Sequence, residues 1–268
     1  MAEINVDRAL LDTVVGIAVE AGRVILRHYG EETPIDYKAD HSPLTVADRA
    51  SHASIVAALR RVTPDVPVLS EESPAEEVAR RREWSRFWLV DPLDGTKEFV
   101  KETGEFTVNV AYVSGSEPLL GVVHAPVSGV TYTGIAGTGA WRMSPGEEPV
   151  PIHVRRADVG RLTVVASRDH AGPLVDAFLG RISGARTTSM GSSLKFCLVA
   201  EGTADFYPRL LPTMEWDTGA AQCVVEAAGG SVTNLQGNRL VYNKADLRNS
   251  SFIAYGDGAV DWIEYLAG

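Results

Sequence analysis

Apolar residues recur at helical spacing over residues 5–29, at Val6, Leu10, Val14, Ile17, Ala21, Val24 and Ile25. That spacing predicts one amphipathic helix, with Asn5 as its cap and Gly30 as its stop. A second helix is expected over 45–62, where Val46, Ala50, Ala53, Val56, Ala57 and Leu59 share a face. Thr45 with Asp48 three residues later matches a capping pair. Asp48 thereby has a structural reading, as a charge favoured in a helix's first turn. From Val66 the pattern shortens. VPVL (66–69), FWLV (87–90), FTVNVAYV (106–113), LLGVVHA (119–125) and VTYTGIA (130–136) read as strands. Gly, Pro and Ser separate the later runs, which predicts an antiparallel meander over 106–142.

A polar break, RRADVGR (155–161), suggests a soft boundary between halves 1–158 and 159–268. The first half reads as α+β, a helix pair with an antiparallel sheet. The second half alternates: strands at 162–167 and 204–208, and helices at 171–182, 192–201 and 217–228, the last ended by Gly229 and Gly230. Strands interleaved with helices indicate an α/β layer. The charge run RRRE (80–83) reads as a solvated face.

Composition narrows the function classes. The 268 residues are 45% hydrophobic and 22% charged, ordinary globular values that exclude a disordered chain. A net charge of -10 argues against a nucleic-acid strand or an anionic membrane as partner, because both demand a basic footprint. An acidic substrate needs a local reversal of the field, which a bound divalent cation supplies. Cys197 and Cys223 form no CxxC or Cys/His pattern and read as buried small hydrophobes. The start, MAEINVDRALLD, shows no apolar signal region, and no apolar run approaches the ~18 residues of a membrane helix. The expectation is a cytoplasmic protein without a transmembrane segment, peripheral membrane association being left open.

Candidate chemistry concentrates in acidic residues at element ends. In WLVDPLDGTKEF (88–99), Asp91 and Asp94 follow a buried-type strand. Pro92 fixes the chain between them, Gly95 permits a tight turn, and Thr96 offers a hydroxyl. Two carboxylates ending an apolar strand are costly unless paired, and no Lys or Arg immediately precedes them. Cation binding is one reading, and oxygen-only ligands favour a hard cation such as Mg²⁺. An Asp-Pro turn with side-chain hydrogen bonds is the other. SEES (70–73) places Glu71 where a strand meets a loop, and EWDTGAAQ (215–222) places Asp217 at a helix start, where a plain N-cap role is also open. Glu71, Asp91, Asp94 and Asp217 brought into one cleft would be tolerable only with cations present. Two divalent ions would balance them, as in a two-metal phosphoryl site.

SEES, DPLDGTKEF and EWDTGAA, in this order and spacing, resemble the inositol monophosphatase superfamily of Mg²⁺-dependent, Li⁺-sensitive phosphatases. DPLDGT matches that family's D-P-x-D-G-T signature, and EWDTGAA its W-D-x-x-A-A signature. KADHSPLTVAD (38–48), TPDVPVLSEE (63–72), FWLVDPLDGTKEFVKETGEFTVN (87–109) and TSMGSSLKFCLVAEGTADFYPR (188–209) look like the CysQ-type 3'(2'),5'-bisphosphate nucleotidases within it. The likeness runs over about residues 10–255. It implies a layered αβαβα sandwich with the site between the halves.

It also implies roles. Glu71, Asp91 and the Leu93 carbonyl look like ligands of one Mg²⁺; Asp91, Asp94 and Asp217 look like ligands of a second, with two or three ions per site. Thr96 with Asp48, and Glu71, look like the catalytic group around the attacking water. Gly95 and Thr96 match positions whose backbone N–H groups meet the phosphate. Ser167 and His170 match positions on the ribose or base side, and Ser192 and Lys195 those holding a second phosphate. The remaining histidines, His28, His41, His52, His124 and His153, show no ligand spacing. The implied activity removes the 3'-phosphate of 3'-phosphoadenosine 5'-phosphate, giving AMP, with 3'-phosphoadenylyl sulfate as a second substrate. Inositol monophosphate is the alternative, against which GSSLK and KEF count. A haloacid-dehalogenase mechanism needs aspartates two apart, whereas Asp91 and Asp94 are three apart. The partner is thus a small nucleotide bisphosphate, and the chain a monomer or homodimer. GDGAVDWIEYLAG at the end has no clear counterpart and reads as a short added helix.

Overall fold

Helix α1 (Arg8–Leu26) buries a stripe of Leu11, Val14, Ala18, Ala21 and Ile25, the three-and-four spacing of one helix face. The computed structural model of the chain describes residues 4–31, 36–37, 43–166, 180 and 185–267. The cap of α1 is Asp7, whose side chain accepts from Leu10 N at 3.0 Å, and not Asn5, which donates its amide to Asp7 at 2.6 Å. A carboxylate answers the positive helix end better than a neutral amide. Strands β1 (Asp36–Tyr37) and β2 (Pro43–Leu44) pair antiparallel before α2 (Val46–Val62). At α2 the expected capping pair is present: Asp48 Oδ2 accepts from Thr45 N at 2.7 Å and from the Thr45 hydroxyl at 2.6 Å.

A seven-stranded sheet follows, built in chain order from β3 (Val68–Ser70), β4 (Arg86–Asp94), β5 (Thr107–Ser114), β6 (Glu117–His124), β7 (Thr131–Ile135), β8 (Gly139–Met143) and β9 (Val150–Ile152). All neighbours are antiparallel except β3 and β4, which run parallel. The meander is therefore as the spacing predicts, extended by β9. Helix α3 (Ala75–Arg80) and a 3-10 turn (Arg81–Glu83) connect β3 to β4. Within RRRE the solvated reading fails for Arg81. It is 7% exposed, and its guanidinium donates to the carbonyls of Val78, Lys244 and Ala245. Two of those acceptors lie more than 160 residues along the chain, so no local pattern announces them.

Short α4 (Thr96–Val100) follows β4, and Phe99 on it packs against Phe106, ring centroids 5.4 Å apart. A second sheet has the order β11 (Arg186–Ser189), β10 (Thr163–Ala166), β12 (Phe206–Arg209), β16 (Phe252–Tyr255), β14 (Ser231–Asn234). It is parallel at β10–β11 and β10–β12 and antiparallel at the other junctions. Between the sheets lie α5 (Leu194–Ala200) and α6 (Glu215–Ala227), while β13 (Thr213–Met214) pairs with β15 (Arg248–Asn249). The approach of α6 to the first sheet is close: a Cβ on Gly121 would overlap the Ala220 carbonyl. The expected terminal helix is α7 (Trp262–Ala267); its Trp262 stacks on Phe206 at 4.9 Å and covers the outer face of the second sheet.

The layers are thus α1 and α2, the seven-stranded sheet, α5 and α6, the five-stranded sheet, and α7. This is the expected αβαβα sandwich. One core spans Leu69, Leu89, Val165, Val224 and Phe252, and so crosses the boundary near residue 158. The helix expected over 171–182 falls almost wholly outside the described residues.

Candidate active site

Strand β4 carries two of the acids, and its irregularity decides where they point. Asp91 pairs with Asn109 and Asp94 with Thr107, with a register shift between them. Asn109 and Thr107 are two apart and so project from one face of β5. The extra residue in β4 is a bulge, and it turns Asp91 and Asp94 onto that same face. In a regular strand, residues three apart would point to opposite faces.

Each acid is anchored by protein donors. Asp91 is 1% exposed and accepts from Leu93 N at 3.1 Å. Asp217 sits at the third position of α6 and accepts from Met214 N at 2.8 Å. It therefore serves the helix start from within the first turn and is not the N-cap residue itself. Asp94 Oδ2 accepts from the Ser192 hydroxyl (2.6 Å), Ser193 N (2.7 Å) and the Ser193 hydroxyl (2.7 Å). Glu71 follows β3, its N–H donating to the Val90 carbonyl at 3.1 Å. One strand junction thereby holds Glu71 beside Asp91.

The electrostatics show that these acids share a space. Burial raises the Asp91 carboxyl well above its ordinary range, and the charges of Glu71, Asp94 and Asp217 raise it further. Asp217 is raised in the same way, by burial first, then by Asp94 and Glu71. Among the described residues no three acids or imidazoles already converge as a finished ligand shell. The donors above explain this. Asp91, Asp94 and Asp217 each direct one oxygen to a protein N–H or hydroxyl, which orients the group without drawing the acids together against their mutual repulsion. A partly buried, all-oxygen cluster in which the neighbouring acids raise Asp91 and Asp217 fits a hard divalent cation, because a cation relieves that penalty. Glu71, Asp91, Asp94, Asp217 and the Leu93 carbonyl are the groups that could hold it.

Asp48 divides its two oxygens between two tasks. Oδ2 caps α2, while Oδ1 accepts from the Thr96 hydroxyl at 3.3 Å. The Thr96 hydroxyl also lies 3.4 Å from the Leu93 carbonyl. One side chain thereby caps α2 and hydrogen-bonds the Thr96 hydroxyl. Thr96 begins α4 just after Gly95, whose φ of 95° is a backbone conformation that side-chain-bearing residues rarely adopt.

Asp94, Gly95, Ser192, Lys195, Arg209 and Asp217 all line one cavity of about 210 Å³. Lys195 is 6% exposed and is not a snorkelling surface lysine. Its ammonium donates to the Ser192 carbonyl at 2.6 Å. Its pKa falls to about 8, chiefly through burial and then through Arg209, against the opposing pull of Asp94, Glu98 and Glu105. The helix behind Gly191 begins at Leu194, two residues later than expected. Ser192 has φ 53°, and its hydroxyl faces Asp94 and Thr107. Ser167 and His170 lie outside the described residues.

Sequence reasoning assigned no role to four residues around this cavity. Arg209 ends the buried strand β12, and its Nε has no hydrogen-bond partner among the described residues. A cation closing an apolar run was the available signal. Thr107 and Asn109 are polar residues two apart in an otherwise apolar strand, and Ser193 follows the noted Ser192. The first pair was legible as a polar face, although its partner was not.

The sequence model of the inositol monophosphatase family matches residues 7–260. The 3'(2'),5'-bisphosphate nucleotidase CysQ of Escherichia coli (strain K12) is 49% identical over 235 residues, covering 87% of this chain and 94% of that protein. The crystal structure of CysQ from Bacteroides thetaiotaomicron is 40% identical, covers 94% of this chain and 98% of its own, and superposes with a TM-score of 0.81. The Thermotoga maritima IMPase is 26% identical, covers 96% of each chain, and has a TM-score of 0.78.

Proposed function

Because the chain belongs to the inositol monophosphatase family, we propose that it is a 3'(2'),5'-bisphosphate nucleotidase, hydrolysing the 3'-phosphate of 3'-phosphoadenosine 5'-phosphate to AMP and phosphate. 3'-Phosphoadenylyl sulfate is the second substrate. The observation that carries this reading is one cavity lined both by carboxylates, Asp94 and Asp217, and by cations, Lys195 and Arg209. A ligand with two phosphates gives such a lining one phosphate for the cation site and a second for Lys195 and Arg209. An inositol monophosphate has only one.

Glu71, Asp91, Asp94, Asp217 and the Leu93 carbonyl would hold Mg²⁺, which when bound would neutralise phosphate charge and lower the pKa of the attacking water. The chain's own residues do the rest. Thr96 Oγ1, 3.3 Å from Asp48 Oδ1, takes a proton from the water as its own passes to Asp48. The water oxygen bonds to phosphorus as the bond to the 3'-oxygen breaks in line; that oxygen takes a proton from solvent, and Asp48 returns its own to solvent. Backbone N–H groups at Gly95 and Thr96 meet the reacting phosphate. Lys195 and Arg209 hold the 5'-phosphate, with Ser192 in the cavity wall beside Asp94 and Lys195. Ser167 and His170 take the ribose or base side.

Li⁺ inhibits by competing for the acid cluster. The chain works as a monomer or homodimer in the cytoplasm; no helix among the described residues is long and apolar enough to cross a membrane. Phosphate release tests the reading. Purified protein with Mg²⁺ should convert 3'-phosphoadenosine 5'-phosphate to AMP, and chelation should stop it. Formation of adenosine 3'-phosphate instead, or turnover unaffected by chelation, would overturn it.

A further inference from the structure

Ser193 touches two acids that come from different layers. Its hydroxyl lies 2.7 Å from Asp94 Oδ2, at the end of β4, and 2.9 Å from the backbone carbonyl of Asp217, in the first turn of α6. It is 2% exposed, so bulk water does not compete for these contacts. The amide of Asn109 reaches the same place, with Nδ2 2.9 Å from Ser193 Oγ and 3.3 Å from Asp94 Oδ2. Asp94 is flanked by a residue from its own sheet and by one from the turn that precedes α5.

Proton counting gives this cluster a direction. An ionised carboxylate and a carbonyl only accept, an amide nitrogen only donates, and a hydroxyl has one proton with two lone pairs. Asn109 Nδ2 therefore donates to Ser193 Oγ, and the hydroxyl proton goes outward to Asp94 or to the Asp217 carbonyl. Thr107 steadies the amide from its other side, its hydroxyl 3.0 Å from Asn109 Oδ1. The Ser193 N–H adds a fixed donor to Asp94 at 2.7 Å. Asp94 and Asp217 are both carboxylates and, when ionised, repel each other. A neutral group linking them fixes their separation without adding charge.

We infer that Ser193, held by Asn109, is a positioning residue that sets the spacing of Asp94 and Asp217 and hence the affinity of the cation those two share. The inference rests on the reading of the acid cluster as a cation site. Groups that orient metal ligands change affinity by about 10–100-fold when removed. The deletion here takes one hydroxyl and leaves the Ser193 N–H in place, so the lower end of that range applies.

The test is a Mn²⁺ titration of the full chain without substrate, following free Mn²⁺ by electron paramagnetic resonance. Wild type, Ser193→Ala, Asn109→Ala and the double variant are compared, with thermal unfolding of each metal-free protein alongside. Each single variant should weaken Mn²⁺ binding about 10-fold. The double variant should be within about twofold of the weaker single one, because the two residues act as a unit. Single variants that bind Mn²⁺ within twofold of wild type overturn the inference, including when their metal-free unfolding midpoints fall, because that pattern marks a merely structural role. A wild type that binds no Mn²⁺ overturns the cation reading itself. The two failures are therefore distinguishable.

Discussion

Replacing Lys195 by Met should make the protein more stable near neutral pH while damaging its substrate site. Lys195 is 6% exposed, and its pKa lies at about 8 against an ordinary 10.5, with burial as the main cause. That difference corresponds to about 3 kcal/mol disfavouring the charged form in the folded state. Below about pH 8 the lysine is charged in both states and the fold bears this penalty in full. Met has a similar length, no charge and a tolerant shape. The substitution also leaves the Ser192 carbonyl without its 2.6 Å donor, which offsets about 1–2 kcal/mol. The variant should therefore be more stable than wild type by about 1–2 kcal/mol at about pH 7. The sign of the pH dependence follows from proton counts. Between about pH 8 and 10.5 the unfolded lysine keeps its proton while the folded one has lost it, so wild type gains stability as pH rises. The variant cannot. Urea unfolding of both proteins, metal-free, at about pH 7 and about pH 10 should show the difference shifting by about 2–3 kcal/mol in favour of wild type. A difference that does not change with pH would refute the reasoning. In the same variant, KM for 3'-phosphoadenosine 5'-phosphate should rise at least about 10-fold, the loss of one charge-assisted contact. An unchanged KM would remove Lys195 from the substrate site.

Two further outcomes follow from the geometry. Asp48→Asn should keep the fold, because the amide oxygen can still serve the α2 cap, but lower kcat about 100-fold or more with little change in KM, since the proton acceptor for Thr96 is gone. Steady-state kinetics check this, and near-wild-type kcat would exclude the pair. Gly121→Ala should destabilise the fold by about 2 kcal/mol or more, because its Cβ would meet the Ala220 backbone and push α6 from the first sheet. Thermal unfolding measures it, and a wild-type midpoint would show that the packing yields there.

Much of this architecture was legible because the relevant forces are local. The Thr45–Asp48 cap, the β4 to β7 runs and the α1 stripe each follow from spacing within a few residues. The α1 cap moved from Asn5 to Asp7 because both residue types suit the position and the carboxylate suits it better. The facing of Asp91 and Asp94 was hidden, because the bulge exists only relative to the Thr107–Asn109 register of the partner strand. Arg81 and Ser193 act through partners more than twenty residues away, beyond any local periodicity. Lys195 stands in the apolar stretch LKFCLVA, but its cavity needs β12 and β16 from the second sheet around it. The acids were legible as a set because Glu71, Asp94 and Asp217 stand at element ends and Asp91 three residues before one, where a fixed scaffold presents a side chain to a cleft.

The net charge of -10 now has a more particular meaning. Part of it is the acid set Glu71, Asp91, Asp94 and Asp217, and the cations Lys195 and Arg209 line the same cavity as Asp94 and Asp217. The most direct measurement of this account is kcat/KM with Mg²⁺ for 3'-phosphoadenosine 5'-phosphate, adenosine 3'-phosphate and inositol 1-phosphate, in wild type and in Lys195→Met. The bisphosphate should be the best substrate, with its advantage over adenosine 3'-phosphate reduced at least about 10-fold in the variant. Inositol 1-phosphate turned over as efficiently as the bisphosphate, or an advantage that survives the loss of Lys195, would contradict it.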